Sequence, residues 1–155
     1  MTDVRWLDER EERAWRALQF MQMRLEAELA RQLASESGLS YPDYLVLVAL
    51  TDRTEARLRL FELGEILGWE KSRLSHHVGR MADRGLVKKE KCDSDRRGAF
   101  VVLTAQGRKA IELAAPGHVG VVRRLFMDKL TPSELDVIAT AAERVLADMH
   151  ASELR

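Results

Sequence analysis

The sequence predicts a mainly α chain with one small β-hairpin, an α+β fold. Three observations lead there. Apolar residues recur at spacings of three and four through most of the 155 residues, the period of a helix buried on one side. Between residues 86 and 103 the pattern changes to two strand-like runs around a polar turn. Ser, Thr and Pro stand where helices should begin, and Gly where they should end.

The first element runs from about Asp8 to Ser35, where Trp15, Leu18, Met21, Leu25, Leu29 and Leu33 form one stripe among Glu and Arg. At 1.5 Å per residue it would be about 42 Å long. So long a helix in so small a chain needs a partner beyond its own domain. Gly38 closes it. Ser40, Pro42 and Asp43 give the next helix a cap, a first-turn proline and an acid three residues after the cap. That helix, Tyr41 to Thr51, is apolar on most sides and belongs in a core. Residues 52–59 are polar, with a short edge strand expected over Arg57–Leu60. Two short helices come next. Phe61–Leu67 has Phe61, Ile66 and Leu67 to bury and is broken by Gly68; Lys71–Arg84 stops at Gly85, with Leu86 placed for the contact of a glycine cap. Leu86–Lys91 and Ala99–Leu103 read as strands joined by the turn Asp93–Gly98. Thr104 caps a helix that should kink or break at Pro116-Gly117, because proline lacks the N–H and crowds the preceding turn. Helix resumes over His118–Lys129. Thr131, Pro132 and Glu134 open a last helix to about Met149, with Leu135, Ile138, Val145, Leu146 and Met149 as apolar members.

Composition narrows the class. With 46% hydrophobic and 32% charged residues the chain can bury a core, which excludes a disordered tail protein. The longest apolar run, Tyr44–Leu50, falls far short of the ~20 residues that span a bilayer. The N-terminus has no apolar segment of a secretory signal, and the single Cys92 cannot form an internal disulfide. A cytoplasmic, nucleoid-associated protein is expected. Net charge is zero, but residues 71–109 carry +7 while the rest is acidic. Such segregation is the footprint of a local polyanion-binding surface.

Helix, glycine turn, helix and a hairpin with arginines at its tip is the order of a winged helix-turn-helix. On a wheel of the second helix, Leu74, Val78, Met81 and Ala82 form the packed face. Ser72, His76, Gly79 and Arg80 point away, Arg73 and Ser75 flank them, and His77 lies nearer the packed side. Short donors, an imidazole, arginines and a glycine that allows close approach suit a major groove. A merely solvated face mixes Glu with Lys, whereas Asp83 is the only acid of Lys71–Arg84. At the turn, Arg96 or Arg97 can enter a minor groove, with Asp95 orienting a guanidinium. Nothing reads as catalytic or metal-binding. Ser75 and His76 are helix neighbours that do not face each other, and the four histidines lack ligand spacing. No cofactor is expected.

The run LFELGEILGWEKSRLSHHVGRMADRGLVKKEKCDSDRRGAFVVLTAQG, residues 60–107, resembles the MarR family of bacterial regulators. The D-R-R-G turn followed by V-x-L-T-x-x-G is its specific signature. The resemblance extends over nearly the whole chain. It implies a homodimer in which residues 1–37 and 108–155 form a helical dimerisation layer around a winged helix-turn-helix of residues 38–107. It implies a repressor or activator that binds double-stranded DNA at a palindromic promoter site through Ser72, Arg73, Ser75, His76, Arg80, Arg96 and Arg97. It further implies a small aromatic or anionic effector, in a cleft that Trp15, Arg16, Tyr41 and Tyr44 would line. Peroxide-sensing members carry their reactive cysteine in the first helix, so Cys92 is not expected to sense thiol oxidation. The competing reading is a winged-helix module that binds protein and has no sequence-specific DNA role.

Overall fold

Asp8 starts the first helix by a reciprocal pair of bonds. Its carboxylate accepts the Glu11 N–H at 2.8 Å, and the Glu11 carboxylate accepts the Asp8 N–H at 3.0 Å. The helix it opens, α1 (Glu9–Ser37), ends at Gly38 in the left-handed conformation. The computed structural model describes residues 4–91 and 98–153. After α1 come α2 (Tyr41–Thr51), β1 (Arg57–Arg59), α3 (Leu60–Leu67), α4 (Lys71–Asp83), β2 (Val87–Lys91), β3 (Ala99–Leu103), α5 (Ala105–Leu125), a 3₁₀ turn at Met127–Lys129, and α6 (Pro132–Glu153). The expected turn residues Cys92 to Arg97 lie outside the described residues.

The chain divides into two units at His118/Val119, within α5. In the first, α2 carries the expected Ser40–Asp43 capping box and puts Val46, Leu47 and Leu50 fully inside. Leu33 of α1, Leu63 of α3, Leu74, Val78 and Met81 of α4 and Val101 of β3 complete the core. The three strands form one antiparallel sheet in the order β1-β3-β2, with Val87 opposite Leu103 and Lys91 opposite Ala99. Gly85 (φ 77°) ends α4: its N–H reaches the Ala82 carbonyl, and the Leu86 N–H reaches that of Met81. This six-to-one closure turns the chain from α4 into β2 and buries Leu86. Thr104 starts α5, its Oγ1 accepting the Gly107 N–H at 2.9 Å and donating to the Leu86 carbonyl at 2.9 Å.

Two expectations are corrected. In α3, Phe61 and Ile66 are exposed and the buried residue is Leu63. Leu60, Leu63 and Leu67 share one helical face, and Phe61 and Ile66 fall on the other. Helix α5 continues through Pro116-Gly117 without a break. Pro116 removes one rung, but Ile111 and Ala114 are buried, and Gly117 lies so close to Gln32 and Glu36 of α1 that a Cβ there would overlap both. Packing against α1 offsets the lost bond. The helix ends at Leu125, earlier than expected, and Met127–Lys129 is the 3₁₀ turn.

In the second unit Thr131 caps α6 as expected: the Glu134 carboxylate accepts the Thr131 N–H at 2.8 Å, and Thr131 Oγ1 accepts the Glu134 N–H at 3.3 Å. Taken by itself, α6 exposes Val137, Ile138, Val145, Leu146 and Met149. No helix among the described residues is long and apolar enough to cross a membrane.

Candidate nucleic-acid interface

Helix α4 owes its position to one apolar edge. Leu74, Val78 and Met81 are buried against α2, α3 and the sheet, which leaves the opposite side outward. Ser72, Arg73, His76 and Arg80 are exposed there, while Ser75 and Gly79 are half-buried. The expected groove-facing residues thus share one surface. Lys89, which sequence reading did not single out, reaches across from β2: its Nζ stands 3.9 Å from where a Gly79 Cβ would be. An ammonium beside the closest-approach point of the helix is suited to a phosphate. The turn residues Asp95, Arg96 and Arg97, expected to extend this surface, lie outside the described residues, as does Cys92.

Beneath the surface is a cluster that local periodicity does not reveal. His77, on the inner side of α4, is 9% exposed, and Asp43 of α2 is 2% exposed. His77 Nε2 lies 3.0 Å from Asp43 Oδ1. Asp43 Oδ2 accepts from Arg84 Nη1 at 2.7 Å and from the Ser40 N–H at 2.9 Å, and Arg84 Nη2 donates to the Gly38 carbonyl at 3.3 Å. Arg80 Nη2 lies 3.2 Å from His77 Nδ1. The Trp69 ring meets His77 edge-on at 5.4 Å, and the Arg73 guanidinium stacks 4.5 Å over Trp69. Both outward arginines are therefore held from below. Burial pushes the Asp43 pKa up, but hydrogen bonds from Arg84 and Ser40 and the charge of Arg84 outweigh it and hold the carboxyl below its ordinary value. Burial pushes the His77 pKa down, helped by the charges of Arg80 and Arg73 against the pull of Asp43, so the imidazole is kept neutral. The available signals were the inward wheel position of His77 and the acid in the first turn of α2. Their pairing across 34 residues is a product of tertiary packing.

A family model for the MarR family matches residues 37–98, from the end of α1 to the end of the hairpin turn. The transcriptional regulator HosA of Escherichia coli is 30% identical over 108 residues, which are 70% of this chain and 78% of HosA. The chain belongs to the MarR family. Among solved structures, the MarR-family regulator AbsC of Streptomyces coelicolor is 37% identical, with a TM-score of 0.87 over 96% of this chain and 99% of AbsC. Sco3205 from the same organism, a family member solved in complex with DNA, is 36% identical, with a TM-score of 0.86 over 94% of this chain and 91% of that one.

In this MarR-family chain the residues expected to line an effector cleft fall into two groups. Tyr44 is buried and stacks on His118 of α5 at 4.2 Å, and Tyr41 stacks on the same ring at 6.4 Å. Burial raises the pKa of both phenols and lowers that of His118. Gln32 Oε1 and His118 Nδ1, like His77 Nε2, are buried and have no hydrogen-bond partner among the described residues. Trp15 and Arg16 are not brought to this cluster within one chain. Trp15 is half-exposed and Arg16 pairs with Glu12 at 2.5 Å. They lie about 15 Å along α1 from Glu26, the residue whose charge faces Tyr41. Among the described residues, no group of three or more His, Cys, Asp or Glu side chains is placed to hold a metal.

Proposed function

We propose that this MarR-family regulator binds an inverted-repeat promoter site in double-stranded DNA as a homodimer, with α4 in the major groove and the hairpin turn on the flanking minor groove. The observation that carries the reading is the outward face of α4. Ser72, Arg73, His76 and Arg80 lie exposed around half-buried Ser75 and Gly79, with Lys89 beside them and the helix's one acid, Asp83, at its far end. Arg80 and Arg73 take base edges, Ser72, Ser75 and His76 take bases or phosphates, and Arg96 and Arg97, aided by Asp95, serve the minor groove. Residues 38–107 act as the reading domain, and residues 1–37 and 108–155 as the dimerisation layer. Regulation is by occupancy of a promoter in the cytoplasm, with repression as its sense, and involves binding and no catalysis.

A small aromatic or anionic effector is part of the same reading. The Tyr41–His118–Tyr44 stack, with the open hydrogen-bonding capacity of Gln32 and His118, supports its aromatic part. Trp15 and Arg16 belong to it only if dimerisation brings them near.

Affinity measurements on variants test the DNA reading. Arg80→Ala should cost about 1–3 kcal/mol and relax preference at particular base pairs. Arg97→Ala should weaken binding to all sequences and lower the salt slope by about one. If both variants bind every duplex as the parent does, the reading fails, and the protein-interaction alternative takes its place.

A further inference from the structure

The buried Asp43–His77 pair and the arginine above it form a chain of polar groups in which Arg80 and His77 Nδ1 are hydrogen-bonded, while His77 Nε2 and Asp43 Oδ1 are in electrostatic contact. A guanidinium can only donate. At 3.2 Å from Arg80 Nη2, His77 Nδ1 must therefore be the bare, accepting nitrogen. The ring proton then sits on Nε2, 3.0 Å from Asp43 Oδ1 in a contact too bent for a hydrogen bond, so that the negative charge of the carboxylate, and no aligned bond, favours the proton there. Asp43 is itself fixed by the Ser40 N–H and Arg84, and the Trp69 ring packs T-shaped against the imidazole at 5.4 Å. We propose that Asp43 and His77 are positioning residues for sequence readout: Asp43 sets the His77 tautomer, and Nδ1 then holds the Arg80 guanidinium in the pose that meets a base edge. This rests on the reading of α4 as the DNA-recognition helix. A preset arginine loses less rotamer freedom on binding than a free one and reaches one base pair in preference to its neighbours.

Protonation breaks the arrangement. Among the described residues, the charged groups facing His77 are Asp43 from α2 and Arg80 and Arg73 from its own helix, with Arg84 behind Asp43. A proton on Nδ1 removes the acceptor and places a second cation against Arg80. Because burial and the two arginines disfavour that form, the neutral ring persists through neutral pH. Discrimination should be lost only on acidification below the ordinary histidine range of about 6.5.

The test uses the full chain and an operator duplex selected from a random pool, titrated at pH 7.5 and down to pH 5. Discrimination is the affinity ratio between that duplex and one changed at the base pairs where Arg80→Ala relaxes preference. His77→Phe keeps the aromatic bulk but offers no acceptor, and should lower discrimination roughly tenfold with little change in non-specific affinity. His77→Asn can place its carbonyl oxygen near the Nδ1 position and has nothing to titrate. It should recover most of the discrimination and hold it on acidification, while the parent loses it below the ordinary histidine range. The inference is overturned if folded His77→Phe discriminates like the parent while Arg80→Ala does not, or if the parent and His77→Asn share one pH profile. Should His77→Phe not fold, that comparison of pH profiles decides. An Arg80→Ala variant that discriminates normally overturns the α4 reading itself and this inference with it.

Discussion

Gly79 and Gly107 both lie within helices, where alanine would be the better helix former by about 0.5–1 kcal/mol. Their surroundings differ. A Cβ on Gly107 would overlap the Leu86 carbonyl and crowd Leu103, so the start of α5 can rest on the end of the α4–β2 turn only with glycine there. This is a physical reason for the glycine that closes the V-x-L-T-x-x-G run. Among the described residues a Cβ on Gly79 would meet only Lys89 Nζ at 3.9 Å, and none of them requires its absence. On the DNA reading the demand comes from the groove. Gly79→Ala should therefore raise stability by about 0.5–1 kcal/mol in thermal unfolding while weakening operator binding several-fold. Unchanged affinity would show that the DNA does not approach this point. The outward residues of α4 were legible because a helical wheel needs only the period. The Asp43–His77 pair was not, since it depends on how α2 packs against α4.

Caps and periods predicted most elements well. The Ser40–Asp43 and Thr131–Glu134 boxes start α2 and α6 where expected, and Gly38, Gly68 and Gly85, all at positive φ, end the helices before them. The local proline rule misled at Pro116, where packing overrode it, whereas the buried face of α3 is the one that the helical period marks through Leu60, Leu63 and Leu67. The stripe on α1 is divided: Leu29 and Leu33 are buried within the first unit, whereas Trp15, Leu18 and Met21 stay exposed. The apolar face of α6 is exposed in the second. Two such uncovered surfaces in one short chain are best explained by a second copy covering them. The chain should sediment as a dimer at micromolar concentration. Leu18→Glu and Val145→Glu should shift it toward monomer without loss of helix by circular dichroism, because neither side chain is buried in the single chain. A parent that sediments as a monomer contradicts the dimer reading.

Across the whole chain, zero net charge conceals a division of labour. Residues 71–109 hold +7, and the remaining segments are acidic. The basic quarter contains α4, β2, β3 and the residues between the two strands, the part of the chain that a winged helix brings to DNA. On the dimer reading, two-fold symmetry dictates the symmetry of the site. The most direct test is to select duplexes from a random pool with the purified chain and measure how many chains each bound duplex carries. The reading predicts convergence on an inverted repeat, its half-sites about one helical turn apart, bound by two chains. Failure to converge, or one asymmetric site bound by a single chain, would contradict it.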